Sequence, residues 1–120
     1  GFGNDIHRLV EGKPLILGGV LIPSEKGAEG HSDADALFHA VTDAILGALA
    51  LGDIGQHFSD KDERWKGANS LIFLNEAVRM MKEKGFEVVN LDSTISLEKP
   101  KLRPHIQAMR ENLERSLEVN

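Results

Sequence analysis

The segment Ser32-Asp33-Ala34-Asp35, with the alanine- and leucine-rich run behind it to about Leu51, constrains the fold most. Ser32 can accept from the amide three residues on while Asp35 reaches back to the Ser32 N–H. That is a capping box, and the acids also suit the positive end of a helix. The run that follows consists of strong helix formers, and Gly52 is placed to stop it. A second helix follows a polar loop: Ser70 can cap it, Leu71, Leu74, Val78 and Met81 recur at helical spacing, and Gly85 ends it. Pro104 suits the first turn of a third, striped by Ile106, Met109, Leu113 and Leu117. Before the first helix come extended runs at 1–7, 14–17 and 20–23. Gly18-Gly19 marks either a bend in one strand or the start of a new one. Residues 86–97 alternate as a strand, with Val89, Leu91, Ile95 and Leu97 on one face and Asn90, Asp92 and Thr94 on the other. The order β-β-α-α-β-α predicts a single α+β domain, a mixed β-sheet with helices packed on one face.

Composition narrows the chemistry. Fourteen Lys and Arg against 19 Asp and Glu give 120 residues a formal charge of −5, unlike a nucleic-acid-coating surface. The most apolar stretch, 44–51, is too short to span a membrane, and no secretory or lipidation signal stands out. There is no cysteine, hence no disulfide, thiolate metal site or thiol nucleophile. A transition metal must therefore use carboxylate and the five histidines, His7, His31, His39, His57 and His105.

Asp5 and His7 stand two apart, so an extended chain turns both to one face; two solvated residues on an exposed strand would show the same spacing. His39 lies between Asp35 four before and Asp43 four after, which on a helix share its face. Either these acids orient a metal-bound imidazole by accepting its other N–H, or they are ordinary surface pairs. Asp5, His7 and His39 together make three N/O ligands, the count of a catalytic zinc with an open fourth position. His31 precedes the predicted cap Ser32, where a helix N-terminus favours an anion, so the pair reads as a phosphate contact or as a plain loop residue and cap. Gly52-Asp53-Ile54-Gly55 could hold polyol hydroxyls, or be a solvated turn. Asp60 and Asp62 have a calcium-like spacing without the required Gly and distal Glu. The basic stretch 99–104 can meet phosphates or cover a strand end.

Taken in order, Asp5-Ile6-His7-Arg8-Leu9, Gly18-Gly19 with Ile22-Pro23, His31-Ser32-Asp33-Ala34-Asp35 with His39, the stretch 48–55, the loop 58–67, and Pro100-Lys101 with Pro104-His105 resemble the 2-C-methyl-D-erythritol 2,4-cyclodiphosphate synthase family. The resemblance implies cyclisation of 4-diphosphocytidyl-2-C-methyl-D-erythritol 2-phosphate with expulsion of CMP, in the non-mevalonate isoprenoid pathway. It implies zinc on Asp5, His7 and His39, and a second cation, magnesium or manganese, whose protein ligand is not in this chain. His31 would stabilise the transition state and Ser32 contact phosphate. Asp5, Ile6 and His7 would border the substrate. Asp53, Ile54 and Gly55 would hold the methylerythritol end, under a loop of Phe58, Ser59, Asp60, Lys61 and Asp62. The cytidine end would lie on Leu97, Glu98, Lys99, Pro100, Lys101, Leu102 and Arg103. Asp35 and Asp43 would support the metal ligands from behind.

The resemblance further implies a homotrimer whose sheets face a central cavity, with each active site between subunits. It implies no nucleic-acid or membrane partner, and a location in bacterial cytoplasm or, in a eukaryote, the plastid stroma or apicoplast. Ser59 stands where the family usually has Pro, which is expected to loosen that loop. The family pattern also continues past a Val-Asn pair into further strands, so the expectation is a chain shortened at both ends relative to the family. Two other readings share the metal site: a zinc-dependent phosphoester hydrolase, and a metal-stabilised interaction domain without catalysis.

Overall fold

The computed structural model describes residues 1–119. Two short antiparallel ladders open the chain. The first joins β1 (Leu9–Glu11) to β4 (Lys26–Ala28), and between them in sequence β2 (Leu15–Leu17) pairs with β3 (Val20–Ile22). Gly18 and Gly19 make the turn of that second pair with φ of 57° and 74°, the two left-handed residues a two-residue hairpin loop requires. The choice between bend and new strand thus resolves as a hairpin. Its register sets Leu15 opposite Ile22, and Leu15, Leu17 and Ile22 enter the core together. Strand β4 has too little apolar alternation to be read from sequence; β1 holds it in place.

Helix α1 (Ala36–Ala48) lies at the centre, with α3 (Leu71–Glu83) packed along it and α4 (Ile106–Leu117) packed on α3. Phe38, Leu46, Leu74 and Ala77 are fully or almost fully buried where α1 and α3 meet. The α4 stripe is buried at Met109, Leu113 and Leu117, but Ile106 is half-exposed because it sits at the helix start, beyond the reach of α3. The polar loop between α1 and α3 contains a short helix, α2 (Ile54–His57), and a 3₁₀ turn at Glu63–Trp65.

The expected capping box does not form. Ala34 adopts φ of 57°, which breaks helical geometry between Ser32 and Asp35, and α1 starts only at Ala36. Asp35 is the N-cap: its Oδ1 accepts the Phe38 N–H at 3.1 Å. The same carboxylate accepts the Gly18 N–H at 2.9 Å and the Gly19 N–H at 2.7 Å, so one buried acid joins the hairpin turn to the helix. Burial raises the Asp35 carboxyl above its ordinary range, even against these three amides.

Residues 86–97 do not form the predicted strand. No described residue pairs with them in a ladder, so the expected mixed sheet is reduced to the two antiparallel pairs. Leu91, Ile95 and Leu97 still pack on the core, but Val88 takes the inner place assigned to Val89, which is 87% exposed. Without ladder bonds nothing holds a strict two-residue phase along the segment. The α+β class stands. Among the described residues no helix is long and apolar enough to cross a membrane.

Candidate active site

The first eight residues alternate as their sequence predicts, although no ladder among the described residues holds them: Gly3, Asp5 and His7 turn inward while Phe2, Asn4, Ile6 and Arg8 are exposed. They lie on α1 itself. A Cβ on Gly3 would fall 1.8 Å from the Ala40 carbonyl oxygen, so only glycine allows this segment so near the helix. That approach brings Asp5 and His7 over His39, the ring α1 presents one residue before Ala40.

One ligand atom from each of Asp5, His7 and His39 lies within 4.8 Å of the others. Asp5 Oδ2 is 2.7 Å from His7 Nδ1 and 3.6 Å from His39 Nδ1. The 2.7 Å approach does not have hydrogen-bond geometry, and Asp5 Oδ2 and His7 Nδ1 are both buried without a hydrogen-bond partner among the described residues. Buried polar atoms are almost always partnered, so two orphans converging beside a third donor atom fit a divalent cation. Burial works to raise the Asp5 carboxyl, but the imidazoles of His39 and His7 outweigh it and hold the group below its ordinary range. The Asp5 carboxylate in turn raises His7, against burial.

The acids expected behind His39 are elsewhere. Asp35 is off the helix and faces the hairpin turn, while Asp43 accepts the Ile54 N–H at 2.7 Å and so ties α1 to α2. Burial raises the Asp43 carboxyl, with the Ile54 amide pulling the other way. Helical spacing placed both on the His39 face, but one precedes the helix and the other is claimed by a loop amide. The second nitrogen of His39 instead meets hydroxyls: Nε2 is 2.7 Å from Ser70 Oγ and 3.2 Å from Ser32 Oγ. Ser70, read from sequence as a helix cap, makes no side-chain cap bond. Its hydroxyl is hydrogen-bonded to Asp33 Oδ1. Nothing local marks this arrangement, since Ser70 is 31 residues from His39 and 37 from Asp33.

Around this cluster the remaining candidates divide. His31 Nε2–H donates to the Asp62 carbonyl at 2.7 Å, and the His31 carbonyl accepts the Gly67 N–H at 2.7 Å, so the residue is bound to the 58–67 loop from both ends. Phe58 stacks on Phe73 of α3 at 4.6 Å and meets Trp65 edge-on at 5.4 Å, fastening the loop by aromatic contacts that the sequence reading did not foresee. Ser59 Oγ accepts the Lys61 N–H at 3.1 Å, a local turn bond that proline could not make. Asp60 and Lys61 are exposed, and Asp62 caps the 3₁₀ turn while paired with Arg64. Asp53 caps α2 through the Gln56 N–H, with Ile54 and Gly55 in its first turn. On the far stretch, Leu97 and Leu102 anchor to the core while Glu98, Lys99, Lys101 and Arg103 are exposed and Pro100 is half-buried. Lys101, Leu102 and Arg103 line a concavity with Ile106 and Gln107.

Comparison with known proteins decides the family. The family model described as YgbB family matches residues 1–120. The chain belongs to the YgbB family. It is 60% identical over 113 residues to the 2-C-methyl-D-erythritol 2,4-cyclodiphosphate synthase of Laribacter hongkongensis, covering 94% of this YgbB chain and 70% of that protein. Identity is 58% over 120 residues with the synthase of Solibacter usitatus, covering 100% and 76%. With the chloroplastic synthase of Arabidopsis thaliana it is 56% over 117 residues, covering 98% and 51%. A solved structure of 2C-methyl-D-erythritol-2,4-cyclodiphosphate synthase in a CDP-bound form superposes with a TM-score of 0.94 at 48% identity, covering all of this chain and 80% of the other. The YgbB chain is also similar to the bifunctional IspDF of Campylobacter jejuni, with a TM-score of 0.94 and 43% identity over all of this chain and 32% of that one.

Proposed function

We propose that the chain catalyses the reaction its relatives are named for: 4-diphosphocytidyl-2-C-methyl-D-erythritol 2-phosphate closes to 2-C-methyl-D-erythritol 2,4-cyclodiphosphate and CMP leaves. The observation that carries this is the buried convergence of Asp5, His7 and His39 in a chain 60% identical to a synthase of that name. The balance is simple. A 2-phosphate oxygen attacks the β-phosphorus of the same molecule, one P–O bond forms, and the P–O bond to CMP breaks. The protein need supply no nucleophile; it has to fold the substrate in line and offset charge.

Asp5, His7 and His39 would hold a divalent cation, zinc by their O/N/N donor set, which when bound supplies Lewis-acid polarisation of a phosphate oxygen. Ser32, 3.2 Å from His39 through its hydroxyl, would contact phosphate beside this cluster. His31 is assigned to the transition state. Its Nε2–H is spent on the Asp62 carbonyl, so donation to a phosphate from Nδ1 requires the doubly protonated ring. Asp53 with Ile54 and Gly55 would bind the methylerythritol hydroxyls, covered by the loop at 58–62. The stretch 97–103 would take the cytidine end, with Lys101 meeting phosphate. A second cation, magnesium or manganese, is assigned no ligand in this chain.

We assign the assembly as a homotrimer with sites between neighbouring subunits and a central cavity between their sheets. Inner residues of 86–97 anchor to the core and leave Val89 outward, which supports a role for that segment at a subunit contact. The domain is read as a synthase domain, placed in bacterial cytoplasm, plastid stroma or apicoplast. Incubation with the cytidyl substrate in ¹⁸O-water, followed by phosphorus NMR and mass spectrometry, tests the reading. CMP and a cyclic diphosphate free of solvent oxygen are expected; solvent oxygen in the product would instead establish a hydrolase.

A further inference from the structure

Ser70 occupies the residue before α3, where a hydroxyl ordinarily caps the helix, yet its side chain makes no bond to that helix. Asn69 serves instead, its Oδ1 accepting the Leu71 N–H at 3.0 Å. The Ser70 hydroxyl, fully buried, lies between Asp33 Oδ1 and His39 Nε2 and is bonded to both. The direction of these bonds follows from the donors around Asp33. Its Oδ2 faces the Ser70 N–H at 3.1 Å and its Oδ1 the Asp35 N–H at 3.1 Å, so both oxygens are accepting. A carboxylate in that setting accepts from the Ser70 hydroxyl too, and the hydroxyl then turns a lone pair to His39. His39 Nε2 then carries the hydrogen and donates to Ser70 Oγ, the nearer of its two hydroxyl neighbours, Ser32 Oγ lying at 3.2 Å. Its Nδ1 is left bare on the side where Asp5 Oδ2 lies 3.6 Å away.

We propose that Asp33 and Ser70 are positioning residues that lock His39 in its Nε2–H tautomer and so present its Nδ1 lone pair to a divalent cation. The inference rests on the cation site proposed above. It deepens that site by naming what orients its helical ligand: a carboxylate acting through a hydroxyl, where Asp35 and Asp43 had been expected to act directly. A metal-bound imidazole commonly has its other N–H held in this way, and loss of the partner weakens metal binding by about 10- to 100-fold.

The test combines ¹⁵N-histidine NMR on the metal-free and zinc-loaded chain with zinc affinity measured against a chromophoric chelator. The wild-type chain is expected to show His39 protonated at Nε2 in both states. Ser70→Ala and Asp33→Asn are each expected to weaken zinc binding by about 10- to 100-fold. An Nδ1–H tautomer in the wild type overturns the proposal, as does zinc affinity in both variants within about threefold of wild type. If Ser70→Ala does not fold, the wild-type tautomer and Asp33→Asn decide. A wild-type chain that shows the Nε2–H tautomer yet binds no zinc would refute the cation site itself, a failure distinct from that of the tautomer lock.

Discussion

Gly3 and Ala40 are in backbone contact: a Cβ on Gly3 would fall 1.8 Å from the Ala40 carbonyl oxygen and 2.9 Å from the Ala44 nitrogen. The first segment thus rests on α1 at a separation no side chain permits, and two of the three residues of the candidate metal site ride on that segment. Gly3→Ala is expected to lift 1–8 from the helix and weaken zinc binding at least about tenfold, by analogy with other displaced ligand supports. Helix content by circular dichroism should stay unchanged, because the α1–α3 core does not involve the segment. Undiminished affinity would show that the close packing is dispensable.

Of the three candidate ligands, His39 is the one that stands on a helix, and His39→Ala removes it. Metal analysis after dialysis should find well under one zinc per chain; full occupancy would disprove the ligand set. Chelation of the wild-type chain should abolish CMP release with helix content retained, since α1 and α3 bury Phe38, Leu46 and Leu74 against each other without help from a metal. Unfolding on chelation would support a metal-stabilised domain instead.

Asp35→Ala strands three amides, those of Gly18, Gly19 and Phe38, at a fully buried position. Urea denaturation should show a loss of about 2–4 kcal/mol. Asp35→Asn tests the ionisation. Because burial raises the folded-state carboxyl above 3.8, its protonated form is favoured by the fold. Its contribution to stability is therefore complete below pH 3.8 and is lost as pH rises through the folded-state value. Asparagine does not titrate, so the stability of wild type relative to Asp35→Asn should fall as pH rises above about 4. A flat difference would contradict the assignment.

Phe58 is the aromatic that fastens the 58–67 loop, and Trp65, the single tryptophan, reports on it directly. Phe58→Ala should red-shift tryptophan emission and speed proteolytic cleavage within 58–69, while the unfolding free energy of the α1–α3 core in urea stays within about 1 kcal/mol of wild type. An unchanged emission spectrum would mean that the loop is held elsewhere.

Much of this architecture was legible because its signals are local. Helical stripes in α3 and α4 and the two-residue alternation of Asp5 and His7 require only neighbours in sequence, and a cysteine-free composition leaves only histidine and carboxylate as candidate metal ligands. The failures share a cause. The start of α1 depended on the left-handed Ala34, the inner face of 86–97 on ladder partners, and the support of His39 on Ser70, 31 residues away. Asp35 marks the helix terminus in sequence, but it is the N-cap itself rather than the partner of a Ser32 cap, and helical spacing to His39 does not apply one residue outside the helix.

The turn at Ala34 separates two acids that would otherwise serve one neighbourhood. Asp33 points to Ser70 at the start of α3, and Asp35 to the hairpin turn at Gly18-Gly19. Four consecutive residues, Ser32 to Asp35, therefore act as a junction at which hairpin, central helix and packing helix are all fastened. Wherever folding and catalysis share a junction, loss of activity is a poor guide to role. A mutational scan scored by turnover would rank Asp35 beside His39, and only a parallel measurement of stability would tell the rivet from the tool.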